Sequence, residues 1–413
     1  MNGASVLFVD HASVMGGAQL SLLDIAEAHK QHGAIALLED GAFATALEAR
    51  GVRVIQLGGG AALRKVKKAS RFPGMRPLLV TLRVARDLAR VAKPFDVLYA
   101  NTPKSFLVAA LAGLIARKPV IWHLRDIFDD GHFSRANVRA VVTAANWLAA
   151  RVIANSHASA DAFVTAGGKK ALVTVVHNGI DPAPYDALPA DARATVRAEL
   201  GIPEDVFLVG SFSRLHPWKG QSVLLDAVEQ MPGAHAIVVG GALFSGEGRY
   251  EVELRTRVAG PSFGGRVSML GPRDDIPRLL AACDVVVHTS VLAEPFGRVL
   301  VEAMLAKRAV VASRAGGVPE VVTDGATGLL VPPGDVGALR DALELLRKNP
   351  ARMAQLARAG AVHARLRFSR VTMLAGVNAV LTDILSRPAE LRPRTNVRSL
   401  RDTDPRGTPH VAT

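Results

Sequence analysis

Short β-branched runs recur along the chain, each followed by a stretch with helical spacing of apolar residues, and the alternation persists from residue 6 to beyond residue 310. A chain written this way folds into parallel sheets covered by helices. In the first half the pattern predicts strands at residues 6–9, 35–38, 52–57, 97–100, 120–122, 152–154 and 173–176, with helices such as 20–29 and 78–92 between them. Pro182, Pro184 and Pro189, set among acidic residues, interrupt it between residues 181 and 191 and mark a linker. The pattern then restarts with strands at 207–210, 236–239, 267–270, 285–288 and 310–312, and helices at 222–230, 250–258, 276–282, 299–307 and 335–348, with more from 351 onward. Two open α/β sheets in tandem result, and sheets of this kind bind ligands beyond the carboxyl ends of their strands.

The chain has 413 residues, enough for two or three domains at about 150 residues each. Its 49% apolar and 21% charged composition suits ordinary globular cores. A single cysteine, Cys283, leaves no disulfide framework or cysteine-built zinc cage and suits a reducing compartment. Residues 1–10 lack a basic segment ahead of an apolar core, and the longest apolar stretch, 107–116, is about half of a membrane span. The expected location is therefore cytoplasmic. The net charge of +13 is concentrated in two places: residues 64–93, with ten Lys or Arg against Asp87 alone, and the tail from Arg387. With the remainder nearly neutral, no nucleic-acid groove is expected.

The polar residues just past the expected strand ends are Asp10, His11, Gly16, Gly17, Asn101, His123, Asn155, Ser156 and Asn178, then Arg214, Lys219, Gly240, Gly241 and Glu294. Several familiar sites are missing. No G-x-G-x-x-G follows a strand, no P-loop pattern occurs, H-E-x-x-H is absent, and no G-x-S-x-G elbow lies between a strand and a helix. The D-x-D pair Asp402 and Asp404 falls in the aperiodic tail, so no carboxylate pair for a metal on a diphosphate is visible, and no metal is expected.

Two stretches carry the chemistry. Ser-Phe-Ser-Arg-Leu-His-Pro-Trp-Lys-Gly at 211–220 lies between a strand and a helix, so Arg214 and Lys219 flank a helix start where free amides already favour an anion such as a diphosphate. Glu-Pro-Phe-Gly-Arg-Val-Leu-Val-Glu at 294–302 sets Glu294 in a tight loop and Glu302 a turn into the next helix. Glu302 can accept hydrogen bonds from a vicinal diol such as a ribose, while Glu294 and the amides of Phe296 and Gly297 can grip a second polyol.

These segments, with Ala-Gly-Gly-Val-Pro-Glu at 315–320, Gly-Ala-Thr-Gly-Leu-Leu-Val-Pro-Pro-Gly at 325–334, His-Asn-Gly-Ile-Asp at 177–181, Ala-Asn-Ser at 154–156 and Gly-Gly-Ala-Gln at 16–19, resemble the retaining glycosyltransferases of the group 1, or family 4, type. The resemblance covers about 370 residues. It implies the GT-B architecture, with two Rossmann-like domains facing across a cleft. On that plan residues 1–180 bind the acceptor, 181–195 link, 196–366 bind a nucleotide sugar and 367–386 form a helix crossing back, while 387–413, rich in Pro, Arg, Thr and Asp and without periodicity, are expected as a disordered tail.

The resemblance also implies roles. Arg214 and Lys219 neutralise the diphosphate, Glu302 holds the ribose, and Glu294 with Phe296 and Gly297 holds the donor sugar. Gly16 and Gly17 allow close backbone approach to donor phosphates and acceptor, and His123 borders the sugar. Val299 joins the donor-binding residues, as does Arg298, a departure from the apolar residue of many relatives. Arg298 can add charge near the diphosphate, pair with an acceptor anion or point away. The catalytic set is Arg214, Lys219, Glu294 and His123.

Breaking a sugar–phosphate bond builds negative charge on the departing diphosphate, so fixed cations and a helix N-terminus aimed there lower the barrier without a metal. The expected reaction is hexosyl transfer, with retention of configuration, from a UDP-, GDP- or ADP-sugar to a lipid-linked or envelope saccharide, as in polysaccharide biosynthesis. Alternatives are an epimerase or phosphorylase on the same fold, or a non-catalytic polyanion- or membrane-binding scaffold. Apolar residues among the cations of 64–93 allow contact with anionic lipid at the inner face of the cell membrane.

Overall fold

A computed structural model of the protein describes residues 4–58, 75–128, 133–242 and 248–386. The cations of 64–71 and the tail from 387, on which two of the expectations above fall, lie outside that range. Seven strands form the first sheet: β1 (Val6–Asp10), β2 (Ala34–Leu37), β3 (Val54–Gln56), β4 (Val97–Ala100), β5 (Val120–Leu124), β6 (Arg151–Ala154) and β7 (Val173–Val175). Six form the second: β8 (Phe207–Phe212), β9 (Ala234–Val239), β10 (Val267–Gly271), β11 (Val285–His288), β12 (Ala309–Ser313) and β13 (Leu329–Val331). All pairings are parallel. Their inner strands are buried on both faces, which explains why they read as continuous apolar runs, not as alternating ones.

The spatial orders are β3-β2-β1-β4-β5-β6-β7 and β10-β9-β8-β11-β12-β13. Each sheet therefore reverses its winding once, between β1 and β4 and between β8 and β11. At those points the loops after neighbouring strands diverge and open a crevice. The motif loops leave the carboxyl ends of these very strands.

Each sheet carries an apolar core on both faces. The last helix, Arg370–Ser386, does not stay with the sheet that precedes it. Its Met373, Val377, Val380, Leu381 and Ile384 pack with Phe8, Tyr99 and Ile153 of the first sheet. The chain crosses over where Ile180 pairs with Ser369, and a Cβ on Gly179 would lie 2.3 Å from the Ser369 carbonyl oxygen. In the Pro-interrupted stretch two short helices form, Ala183–Asp186 and Ala192–Glu199. Prolines at 182 and 184 are tolerated because the first turn of a helix needs no N–H from them.

Candidate active site

At the winding reversal of the first sheet, Asp10 is fully buried at the end of β1. One carboxylate oxygen accepts the amides of His11 and Ala12, and the other accepts Gln19 and Asn101. Asn101, following β4, turns its oxygen to Arg125 Nε at 2.6 Å. Arg125 then donates to Asn178 Oδ1 at 2.7 Å and to His123 Nδ1 at 3.2 Å. A buried charge needs such satisfaction, and the network ties together the loops after β1, β4, β5 and β7. Burial, followed by the nearby Arg125 charge, holds the His123 pKa well below the usual histidine range. Next to this network the helix Gly17–Ala28 begins after Gly16, with no side chain capping it.

At the second reversal, the loop after β8 folds over Thr289 at the end of β11. Thr289 donates to the carbonyl oxygens of Lys219 and Gly220. Gly220 has φ of +67°, and a Cβ there would stand 2.0 Å from the Thr289 carbonyl oxygen, so only glycine permits this close crossing. The pinned loop stacks Lys219 and Arg214 over Trp218, at 4.1 and 5.6 Å from the ring centroid. Lys219 Nζ meets Glu294 Oε2 at 2.5 Å, with both side chains about one-eighth exposed (13% and 12%). His288 and Ser290 approach the same carboxylate oxygen at 3.2 and 3.3 Å. Burial works against the Glu294 charge, but Lys219 and the hydrogen bond from His288 outweigh it and hold its pKa far below the usual carboxylate range.

Beyond Glu294 the chain turns through Gly297, φ +83°, into the helix Arg298–Leu305. Helices beginning at Gly17, Gln221 and Arg298 thus all start after a glycine that offers no side-chain cap. Glu302 sits one turn in, and burial raises its pKa against the lowering influence of Arg298. Of the three directions open to Arg298, the side chain takes one across the cleft: Nη1 donates to Ser21 Oγ at 2.7 Å, Cδ lies 3.5 Å from where a Cβ on Gly17 would stand, and Nε lies 3.6 Å from Glu302. Phe296 is different. Its ring is buried against His177 and Phe368, and Val299 packs beside the same core.

The segment 315–320 joins the two halves. The Gly317 amide donates to the Glu294 carbonyl oxygen at 2.7 Å. A Cβ on Gly316, φ +61°, would lie 2.2 Å from that oxygen, and one on Gly317 would lie 3.0 Å from Ser156 Cβ. Glu320 reaches the other lobe, accepting the first two amides of the helix His157–Thr165 at 2.8 and 2.9 Å and meeting His177 Nε2 at 2.9 Å. His157, His177 and Glu320 are also the group among the described residues that brings three ligand-type atoms within 4.8 Å. The carboxylate there already serves the positive end of a helix, which disfavours a cation.

The motif residues therefore converge: Gly16, Gly17, Arg298 and Glu302 at one flank, Arg214, Lys219 and Glu294 at the other, with His123 in the network of the facing lobe. Arg125, Tyr99, His288 and Ser21 escape a sequence reading, although Arg125 carried one signal, a cation directly after an apolar strand, and Glu320 stands in the 315–320 motif without a role assigned to it.

The description "Glycosyl transferases group 1" matches residues 192–363, and "Glycosyltransferase Family 4" matches residues 41–184. HepE of Anabaena, solved with UDP and glucose, is 39% identical, with a TM-score of 0.84 over 92% of this chain and 100% of its own. A glycosyltransferase of Rickettsia africae shares the fold at a TM-score of 0.79 and 19% identity, over 94% of this chain and 100% of its own. D-inositol 3-phosphate glycosyltransferase of Mycolicibacterium smegmatis is 34% identical over 219 residues, 52% of this chain and 48% of that protein. This chain thus spans about half the length of that curated relative. Full-length coverage of a 39% identical structure, with the two family matches lying on the two lobes, shows that the chain belongs to the group 1, family 4 glycosyltransferases and has their GT-B fold.

Proposed function

We propose that the protein transfers a hexosyl group from a UDP-sugar, UDP-glucose being the first candidate, to a saccharide or lipid-linked acceptor, with retention of configuration and without a metal. The observation that carries this reading is the collection of positive charge at the second winding reversal. Lys219 and Arg214 share one aromatic platform there, and two uncapped helix ends begin beside them. The HepE complexes with UDP and glucose, and with UDP-glucose, support the choice of donor.

On this reading the bond between the sugar C1 and the phosphate oxygen breaks, and a bond from C1 to the acceptor hydroxyl oxygen forms. The acceptor's proton passes to the departing diphosphate. Lys219 and Arg214 take up the charge growing on that diphosphate, Glu302 accepts from the ribose hydroxyls, and Glu294 accepts from the sugar. A diphosphate competes with Glu294 for Lys219, which frees the carboxylate for the sugar hydroxyls. Gly16 and Gly17 bring the opposing helix end to the phosphates.

Thermal unfolding with UDP, GDP and ADP tests the donor, since a ligand at a hundredfold over Kd stabilises by about 2.7 kcal/mol. UDP is expected to raise Tm most. Product analysis with UDP-glucose and chelator is expected to show released glucose or glycosylated acceptor. No response to any of the three nucleotides refutes nucleotide-sugar use, an epimerised nucleotide sugar favours the epimerase, and strict dependence on added manganese refutes the metal-free mechanism.

A further inference from the structure

We propose that Tyr99 and Arg125 are positioning residues that fix His123 as an Nε2–H hydrogen-bond donor toward the donor sugar. That the ring faces a sugar rests on the transferase reading above; the assignment of the tautomer does not.

The argument starts from the sheet. Tyr99 on β4 stands opposite Ile121 on β5, and strand alternation puts His123 two residues on, over the same face. The rings of Tyr99 and His123 meet edge to face with centroids 5.7 Å apart, and the Tyr99 hydroxyl hydrogen-bonds to His123 Nδ1. Arg125 Nη2 approaches the same nitrogen at 3.2 Å.

A guanidinium has five N–H donors and no acceptor. Nδ1 must therefore present its lone pair, and a neutral ring must carry its proton on Nε2. Burial and the Arg125 charge both oppose a second proton on the ring, so it stays neutral. Arg125 cannot swing away to relax this arrangement, because Asn101 and Asn178 hold its other nitrogens and Asn101 is anchored on Asp10. Among the described residues, Tyr99 from β4 and Arg125 after β5 are the titratable groups against the ring.

Nε2 is fully buried and has no hydrogen-bond partner in the protein. An unsatisfied buried donor is costly, and such groups persist where a ligand satisfies them. A sugar hydroxyl oxygen is an acceptor of the required kind. The same tautomer also has a negative consequence for the chemistry. With the Nδ1 lone pair engaged and Nε2 already protonated, His123 has no site to receive the acceptor's proton, so it works as a donor and not as a general base.

Long-range proton–nitrogen NMR on the full chain with 15N-labelled histidine reads the tautomer directly, with H123Q assigning the signal. Wild type is expected to show unprotonated Nδ1 and protonated Nε2, without change from about pH 5.5 to 8. R125M, which removes the donor facing Nδ1, is expected to populate the second tautomer, because the Tyr99 hydroxyl left behind can accept as well as donate, whereas Y99F, which keeps Arg125, is expected to keep the Nε2–H tautomer. With UDP-glucose as the probe, H123M is expected to lose about tenfold or more in kcat, the scale of one lost hydrogen bond to a charged or polarised group. H123Q, whose amide keeps an N–H near the Nε2 position, is expected to retain most of the rate. The loss in R125M should track the fraction of ring in the second tautomer.

A proton on Nδ1 in wild type, or a ring that titrates within the range, overturns the assignment. A folded H123M with wild-type turnover overturns the donor role. An intact Nε2–H tautomer in a protein that neither binds nor turns over UDP-glucose overturns the choice of donor instead, so the two failures are distinguishable.

Discussion

Replacing Lys219 by Met keeps the aliphatic stem over Trp218 and removes the charge that faces Glu294. Breaking a buried pair by removing one partner typically costs about 3–5 kcal/mol, because the surviving charge is left in a poorly solvated place. Here both groups are about one-eighth exposed, and Glu294 keeps His288 and Ser290. About 2–3 kcal/mol is therefore the expected loss at pH 7. The sign of its pH dependence follows from Glu294. In wild type the folded pKa lies below the unfolded one, so the pair's stabilisation is present above about pH 4.5 and is lost only as pH falls through the depressed value. Without Lys219 the burial contribution dominates and lifts the folded pKa above its unfolded value. The variant then regains stability as pH falls toward 4.5 while wild type loses it below, so the gap must narrow from both sides.

Calorimetric or urea unfolding of both proteins at about pH 7, 5 and 4 measures that gap. A second variant separates stability from chemistry: K219M/E294Q has no unpaired charge and should unfold within about 1 kcal/mol of wild type at pH 7. Its turnover should still be down by about 10²–10³, the scale of a lost oxyanion-stabilising group. A stability gap that stays constant from pH 7 to 4, or a double variant with wild-type kcat, refutes the reasoning.

Other substitutions probe the seam and the surface. G316A should cost at least about 2 kcal/mol and weaken UDP binding, because its methyl would stand 2.2 Å from the Glu294 carbonyl oxygen at a positive φ; an unchanged Tm contradicts this close approach. E320A should lower stability by about 1–2 kcal/mol through loss of two helix-end amide bonds and the His177 contact. Because these partners overcome burial to depress the Glu320 pKa, that contribution should be present above about pH 4.5 and fade below it, which denaturation at two pH values can check. Arg86, Arg90 and Lys93 line a groove with the exposed Ile115 between the helices Met75–Val91 and Pro103–Ala116. R86E/R90E/K93E is expected to reduce co-sedimentation with anionic vesicles, and equal sedimentation would remove the case for lipid contact through this face.

Most strands were legible to within a residue or two because fully buried parallel strands have a simple signature of short apolar runs bounded by turns. β13 was not read as a strand, since Leu329–Val331 is three residues at a sheet edge inside a glycine- and proline-bounded motif. The loops after β1, β4, β8 and β11 were found for a topological reason, as polar residues past strand ends. Phe296 illustrates one limit. A motif position gives no direction to a side chain, and the Phe296 ring belongs to the core. Arg125 and Tyr99 illustrate another, because their importance lies in meeting at one ring nitrogen across neighbouring strands. Glu320 and Ser21 act between lobes, and local pattern carries no information about which distant helix each will touch.

The attachment of Gly316 and Gly317 to the Glu294 loop has a mechanical consequence. One side of that short strip is bonded to the backbone bearing Glu294, and its far end is fastened by Glu320 to a helix of the opposite lobe. Any parting of the two lobes would therefore pull on the backbone that carries Glu294.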